Sequence, residues 1–241
     1  MAALEVLASS SAGCCYLLTE GVAPLLIECG LPIKQIQESM WRRGITLSAL
    51  AGCVISHAHG DHCRGASDLL IAGVDCYASE DTWKTLFIQG HRARPLLPHY
   101  SIDIGSWEVK PFEAVHDCKG TLGFVITSEA GDRWLYLTDS AYSHYRFGGL
   151  TGIAVEANFS SELLRSNARS GEVHAERYKR TLRTHMSIER LIDMLRSNDL
   201  SKCREIHLLH LSDANSDEAH FAEQVRAATG VPTYVAPKAV S

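Results

Sequence analysis

The sequence lacks any long hydrophobic run, since no apolar stretch approaches the roughly 18 to 20 residues that a membrane-spanning helix requires. It also lacks an excess of positive charge, because 23 Lys and Arg stand against 28 Asp and Glu, for a formal net charge of -5. That balance excludes a strongly basic nucleic-acid coat protein but allows an enzyme with a local basic patch. We therefore expect a globular protein with no membrane partner.

Two further absences bear on the cellular compartment. The first basic residue is Lys34, so we expect no secretory signal, which begins with a charged segment. No C-x-x-C pair occurs, and most cysteines have apolar neighbours, as in Cys53-Val54-Ile55, where a thiol acts as a small buried hydrophobe. We therefore expect reduced thiols in a cytoplasmic protein. The cysteines are Cys14, Cys15, Cys29, Cys53, Cys63, Cys76, Cys118 and Cys203.

Short apolar runs alternate with stretches of helical periodicity along the chain. Strands are predicted at residues 4–8, 15–19, 24–27, 53–56, 107–112, 123–127, 134–138, 153–156, 205–209 and 233–235, with a tight turn at Gly21-Val22. Helices are predicted at residues 32–43, 160–166, 174–182, 187–196 and 216–228. Such alternation predicts an α/β fold with helices on both sides of its sheets. No repeat or linker divides the chain, so residues 1–241 are predicted to form a single domain.

The strongest functional signal is the motif His57-Ala58-His59-Gly60-Asp61-His62. Three imidazoles and a carboxylate within six residues, directly after a buried strand, form a metal-ligand pattern. His57 and His59 can face one ion, while Asp61 and His62 can face a second ion beside it. These ligand types suit zinc, and also manganese or iron. The alternative is a polar histidine-rich turn without metal, which the density of the cluster beside a core strand disfavours.

This motif resembles the H-x-H-x-D-H of the metallo-β-lactamase-fold hydrolases. The resemblance implies a four-layer αββα sandwich with two metal ions along the sheet edges. It continues in His116, which matches the third histidine, in Asp139, which matches the bridging aspartate, and in His210, which matches the last histidine. Taken singly, each of these three could instead be structural, as a hydrogen-bonded histidine or a turn cap. The implied ligands are His57, His59 and His116 for one ion and Asp61, His62 and His210 for the other, with Asp139 shared.

Three stretches resemble, more narrowly, the YycJ-like (WalJ) branch, a relative of the tRNA 3′-processing endonucleases. Residues 6–13 and 25–31 resemble the first hairpin of that branch, and Glu156-Ala157-Asn158 resembles its E-x-N. Residues 184–187 and 210–215 resemble its two H-L-S segments. The resemblance implies substrate-binding roles for Asn158, Ser212 and Asn215. Cys14 and Glu28 depart from the branch, in which Asn and Asp are usual.

Two metal ions about 3.5–4 Å apart can hold a bridging hydroxide and stabilise the oxygens of an in-line displacement, which suits a phosphodiester. Asp61 is the expected partner for the proton of the nucleophile. His185 is the candidate acid for the leaving oxygen. It lies just before a predicted helix that Ser187 would cap, and the N-terminus of a helix favours a phosphate. A surface or capping role for His185 is the alternative. His207 is expected to be structural, because it faces the opposite side of the strand from His210.

The leading interpretation is a dinuclear metal-dependent phosphodiesterase, a nuclease for DNA or RNA that carries two divalent ions, zinc before manganese. A cyclic-nucleotide phosphodiesterase of the phage anti-defence type and a lactone, thioester or β-lactam hydrolase are alternatives in the same fold. A metal-bound structural or sensor protein is the alternative from another class. Basic residues within 165–183 could guide a phosphate backbone or equally form a solvated helix face. We expect nucleic acid or a small nucleotide as the substrate partner and leave a homodimer open.

Overall fold

The computed structural model of the protein describes residues 1–20 and 23–238, so the turn predicted at Gly21-Val22 lies outside the described residues. The strands belong to two β-sheets flanked by helices, which confirms the predicted α/β class. The chain divides into two compact units. Unit 1 comprises the described residues within 1–113, 118–132 and 237–238, and unit 2 comprises residues 114–117 and 133–236. The single domain over 1–241 stays a prediction.

Unit 1 contains a six-stranded sheet in which the strands lie in chain order. They are β1 (Ala3–Ser10), β2 (Gly13–Thr19), β3 (Leu25–Ile27), β4 (Gly52–Val54), β5 (Cys76–Ser79) and β6 (Ala93–Leu96). The first three pair antiparallel, and β3 to β6 pair parallel. Three more strands of this unit pair antiparallel, namely β7 (Ile102–Ile104), β8 (Trp107–Glu113) and β9 (Leu122–Ser128).

The helices of unit 1 are α1 (Ile33–Trp41), α2 (Gly60–Cys63), α3 (Ala66–Ile71) and α4 (Glu80–Leu86). Helix α1 confirms the prediction after Pro32 and buries Ile36 and Met40, which lie four residues apart on one face. The core beneath it mixes aliphatic side chains with the buried thiols of Cys15, Cys29 and Cys53. All eight cysteines are thiols in the structure, as the sequence predicts.

Unit 2 contains four strands that pair parallel, β10 (Arg133–Leu137), β11 (Gly152–Glu156), β12 (Glu205–Leu209) and β13 (Thr233–Val235). Its helices are α5 (Ser161–Ser170), α6 (Ala175–Thr184), α7 (Ile188–Arg196) and α8 (Glu218–Thr229). Ser187 caps α7 as predicted, because its side chain accepts the backbone N–H of Arg190. The longest described helix, α8, has 12 residues, and no described helix combines the length and apolarity that a bilayer crossing needs.

Gly30 lets the segment after β3 pack directly against the histidine-rich motif of unit 1. A Cβ at this position would collide with the carbonyl oxygen of Asp61 and would lie 2.8 Å from the backbone nitrogen of Cys14. Backbone hydrogen bonds fix the contact, since Cys29 N–H donates to the carbonyl of His62 at 2.8 Å. Gly30 N–H likewise donates to the carbonyl of Cys14 at 2.8 Å. The close approach therefore sets the position of the backbone that carries Asp61 and His62.

Replacing Gly30 with alanine should lower the free energy of unfolding by about 3 kcal/mol, because the new methyl group meets backbone rather than a flexible side chain. Urea denaturation measures this change. Gly60→Ala is the matched control, because its Cβ would have open space and its φ is not positive. It should change stability by no more than about 0.5 kcal/mol. Equal losses in the two variants would contradict the packing role of Gly30.

Candidate metal centre

The histidine-rich motif follows β4 of unit 1 and leads into α2. His59 is the N-cap of that helix, and Asp61 and His62 lie in it. His57 Nε2 and His59 Nδ1 lie 3.0 Å apart. Two nitrogen ligands on a tetrahedral zinc ion lie about 3.3 Å apart, so the pair has the spacing of a chelate. Ser56 Oγ lies 2.8 Å from His57 Nδ1 and holds the ring with Nε2 towards His59.

A buried glutamate stands behind His62. Glu28 directly follows β3, has no exposed surface, and accepts the backbone N–H of Ser56 with both carboxylate oxygens, at 3.3 and 3.2 Å. Its Oε1 lies 3.4 Å from His62 Nδ1, while His62 Nε2 lies 3.6 Å from Asp61 Oδ2. Glu28 thus lies beside a predicted ligand, on the Nδ1 side of its ring. In the sequence, Glu28 is noted only as a departure from the branch pattern. Its position directly after an apolar strand is the signal that could have assigned it to the site.

His116 in unit 2 is oriented by a backbone carbonyl. Its Nδ1 lies 2.9 Å from the carbonyl oxygen of Thr184. Because a carbonyl only accepts hydrogen bonds, Nδ1 carries a proton, and this bond fixes the ring with Nε2 on the opposite side. Nε2 lies 3.2 Å from Asp117 Oδ1 and 3.7 Å from Asp139 Oδ2. The structure therefore brings His116 and Asp139 together as the sequence analysis expects.

Asp139, Glu156, His185 and His210 form a second group within unit 2, and one potential ligand atom from each lies within 4.8 Å of all the others. Asp139 follows β10 by two residues and His210 directly follows β12. His210 Nδ1 lies 2.9 Å from Asp139 Oδ1. The side chain of His185 is 18% exposed, so it is neither a surface histidine nor a fully buried one. Three residues predicted from the sequence therefore meet here.

Glu156, which the sequence analysis did not assign to the site, joins this group. Its side chain is fully buried at the end of β11. Oε1 lies 2.7 Å from His185 Nδ1 and 3.1 Å from His210 Nδ1. Oε2 accepts the backbone N–H of Ser140 at 3.3 Å and of Met186 at 3.0 Å. One carboxylate therefore holds two imidazoles and two backbone segments.

The charged forms of Glu156 and His185 stabilise each other. Burial alone would raise the pKa of the Glu156 carboxyl, but the charge of His185 and the hydrogen bonds from His185 and His210 outweigh it and lower the pKa. Burial alone would lower the pKa of His185, but the Glu156 carboxylate outweighs it and raises the pKa. An ionised carboxylate only accepts hydrogen bonds, so both histidines carry a proton on Nδ1. Glu156 therefore fixes how both rings are oriented.

The backbone is left-handed at three residues of these groups. Glu28 has φ 61, Asp139 has φ 45 and His210 has φ 51. Each lies just beyond the carboxyl end of a strand, and such a conformation costs a residue other than glycine on the order of 1–3 kcal/mol. It persists only where surrounding contacts determine it, and it turns the side chain sharply at the strand end. Nothing in the local sequence indicates these φ values.

The predicted substrate-binding residues hold the segment after β12. Asn158 Nδ2 donates to the carbonyl of His210 at 2.8 Å. Asn215 Nδ2 donates to Ser212 Oγ at 3.1 Å, and Asn215 Oδ1 accepts from Asn167 Nδ2 at 3.0 Å. The structure thus groups Asn158 with His210 and links Ser212 to Asn215. Their contact with a substrate stays a prediction.

Comparison with known proteins gives one family and a set of similar structures. The family described as "Beta-lactamase superfamily domain" matches residues 25–208, and no curated protein sequence matches. The metallo-beta-lactamase fold protein YhfI from Bacillus subtilis has a TM-score of 0.75 at 14% identity, over 98% of this chain and 97% of that one. Identity this low shows the fold alone, and it confirms the metallo-β-lactamase fold predicted from the motif. The YycJ-like branch stays a prediction.

Two further similar structures cover nearly the whole chain. A diphosphatase from the PhnP family has a TM-score of 0.66 at 17% identity, over 99% of this chain and 95% of that one. Human tRNase Z, short form, has a TM-score of 0.64 at 14% identity, over 100% of this chain and 98% of that one. Both likenesses again concern the fold.

Glu156→Gln should weaken metal binding by about 10- to 100-fold, because the neutral amide keeps the shape but loses the charge that orients His185 and His210. Competition with a chromophoric chelator measures the affinity, and circular dichroism checks the fold. Glu205→Gln is the matched control, since that carboxylate also contacts a histidine, His207, at 3.1 Å, outside the group. It should leave the affinity unchanged. Metal binding by Glu156→Gln at wild-type affinity would remove its orienting role.

Proposed function

The chain belongs to the β-lactamase superfamily, and on that premise we propose that it is a dinuclear metal-dependent phosphodiesterase that acts as a nuclease on DNA or RNA. The observation that carries the proposal is His185, an imidazole outside the predicted ligand set that Glu156 holds beside Asp139 and His210. An acid is what the leaving oxygen of a phosphodiester requires. The proposed metal ligands are His57, His59, Asp61, His62, His116, Asp139 and His210.

The donor set fits a borderline divalent ion, with zinc first and manganese second. It consists of imidazole nitrogens and carboxylate oxygens, and the pair His57 and His59 has the spacing of a chelate. His116 Nδ1 donates a hydrogen bond to the Thr184 carbonyl, which would leave Nε2 as the ligand atom when an ion binds. Two ions bound by these residues would supply Lewis acidity and make water nucleophilic at neutral pH.

The protein residues supply proton transfer and orientation. The Asp61 carboxylate, with 21% of its side chain exposed, is proposed to take the proton of the attacking water. His185 is proposed to give a proton to the leaving oxygen. Because Glu156 raises the pKa of His185, the protonated form that can donate persists to a higher pH than in a free imidazole. Its partial exposure leaves the ring accessible to a substrate.

The names of two similar structures support the same class of chemistry. One is a diphosphatase and the other a tRNase Z, and both names refer to phosphate substrates. At this identity their activities do not transfer by likeness alone, so the proposal rests on the residues. The cyclic-nucleotide and lactone or thioester alternatives are outcomes of the tests that follow.

Purified protein should contain close to two metal ions per chain and should hydrolyse bis-p-nitrophenyl phosphate rather than nitrocefin. The double variant His59→Ala, Asp139→Ala should lose both metal and activity, because two proposed ligands are removed, while circular dichroism stays close to wild type. Elemental analysis and initial rates measure the two effects. Labelled single-stranded DNA, RNA and cyclic nucleotides then identify the substrate. Survival of metal content and activity in the double variant would show that the ligand assignment is wrong.

His185→Ala should retain its metal and lose about 10²- to 10⁴-fold in kcat on a phosphodiester with a poor alkoxide leaving group. The loss should be much smaller on a p-nitrophenyl ester, because that leaving group barely needs a proton. Initial rates on the two substrates give the comparison, and elemental analysis gives the metal content. Equal losses on both substrates would indicate phosphate binding instead of proton donation. An unchanged rate on both would remove His185 from the site.

A further inference from the structure

The segment after Asp139 interleaves aromatic and basic side chains. Tyr142, His144, Tyr145, Arg146 and Phe147 lie within six residues of unit 2. Tyr142 is 42% exposed, and His144 and Arg146 are also exposed. No carboxylate occurs in the sequence between Asp139 and Glu156. The proposed chemistry so far uses none of these five side chains, and their composition is that of a surface for a flat, anionic ligand.

The start of this segment is fixed to the same backbone that carries the proposed site. Ser140 Oγ accepts the N–H of Val115 at 2.9 Å, and Ala141 N–H donates to the carbonyl of Val115 at 3.0 Å. Val115 directly precedes His116. Arg190 Nη1 donates to the carbonyl of Ala141 at 3.3 Å from α7. The segment is therefore held in one place as it leaves Asp139.

Tyr142 lies three residues after Asp139, and contacts fix both its backbone and its ring. Ser140 Oγ lies 2.8 Å from the carbonyl oxygen of Tyr142 and donates to it, which fixes the backbone there. The ring meets His144 edge to face, with 4.6 Å between centroids. Three residues of chain span at most about 10 Å, so the backbone of Tyr142 cannot lie farther than that from Asp139. That separation is within the reach of a nucleotide whose phosphate lies next to Asp139.

The far end of the segment is anchored in the interior. Phe147 is buried, and its N–H donates to Asn198 Oδ1 at 2.6 Å. Tyr145 packs against Phe147 with ring centroids 6.5 Å apart. Two aromatic residues therefore anchor the segment, while Tyr142, His144 and Arg146 remain at the surface. A stacking surface needs such a fixed frame, because a mobile ring would lose more entropy on binding.

We propose that Tyr142, with His144 against its ring and the exposed Arg146 four residues later, forms a platform on which a base of a single-stranded nucleic acid substrate stacks. The proposal rests on the proposed phosphodiesterase function and names its substrate class, a nucleobase-bearing strand. Stacking on an aromatic ring accepts every base, because each base has a π-face, and the adjacent cationic side chain favours the phosphate backbone. Such a platform therefore gives affinity for single strands without strong sequence preference.

Binding of two single strands of equal length and equal phosphate number tests the platform, one of normal DNA and one abasic. Each carries fluorescein at the end, and anisotropy gives both affinities for the purified protein. Wild type should prefer the strand with bases by about 5- to 150-fold, the range of one base–aromatic contact. Tyr142→Ala should abolish most of that preference, and Tyr142→Phe should retain it. Tyr234→Ala, a half-exposed tyrosine on β13, is the matched control and should retain it.

Several results would overturn the platform. For the wild type, these are equal affinity for both strands or no binding of either strand. For Tyr142→Ala, they are an unchanged preference or an equal loss of affinity for both strands. The readout is binding, so it does not depend on turnover. A denaturing gel of the same samples reports cleavage separately. A strand that is bound through its bases but never cut would uphold the platform and count against the nuclease.

Discussion

The candidate site of unit 2 depends on one carboxylate that has no contact with solvent. An ionised group in such a place costs several kcal/mol unless its partners compensate for lost hydration. Glu156 has four partners, the two imidazoles of His185 and His210 and the backbone N–H groups of Ser140 and Met186. Since Ser140 follows Asp139 and Met186 follows His185, the same carboxylate fixes both neighbouring segments. Its charge therefore organises the group electrostatically and geometrically.

Unit 1 also contains a fully buried glutamate next to a histidine. Glu28 is also fully buried just beyond a strand, also accepts backbone hydrogen bonds, and also stands behind an imidazole, that of His62. Gly30 follows two residues later and lets the same segment press against the motif. In each unit a buried glutamate thus lies beside a histidine that the sequence predicts as a metal ligand. In unit 2 the hydrogen bonds that Glu156 accepts from His185 and His210 hold both imidazoles in one orientation before an ion binds.

Several helices and strands could be predicted from the sequence, because the patterns that indicate them are local. β12 and β13 have the predicted bounds, and α7 begins after its predicted cap, Ser187, because strand alternation and capping are short-range patterns. The structure differs between residues 60 and 104, where α2 to α4 and β5 to β7 were not predicted. Those elements have three to seven residues each, too few for a periodicity to be recognised.

The orienting residues of the site were less accessible to sequence reasoning. The motif from His57 to His62 has enough ligand residues in one short segment to predict a metal site by itself. Glu156, in contrast, contacts partners 29 and 54 residues away along the chain. Only the folded backbone brings such residues together. The segment after Asp139, for which the stacking platform is proposed, has only a weak signal in the sequence. Its basic residues are too few to form a charged cluster, and its exposed ring is visible only once burial is known.

The most direct measurement is the return of zinc to protein stripped with a chelator, with the rate of bis-p-nitrophenyl phosphate hydrolysis followed at each addition. We expect the stripped protein to be inactive, because the proposed reaction requires two ions held by imidazole and carboxylate. The rate should reach its maximum near two equivalents of zinc per chain and should not rise further. Full activity in the stripped protein, or no hydrolysis at two equivalents of zinc or manganese, would contradict a dinuclear phosphodiesterase.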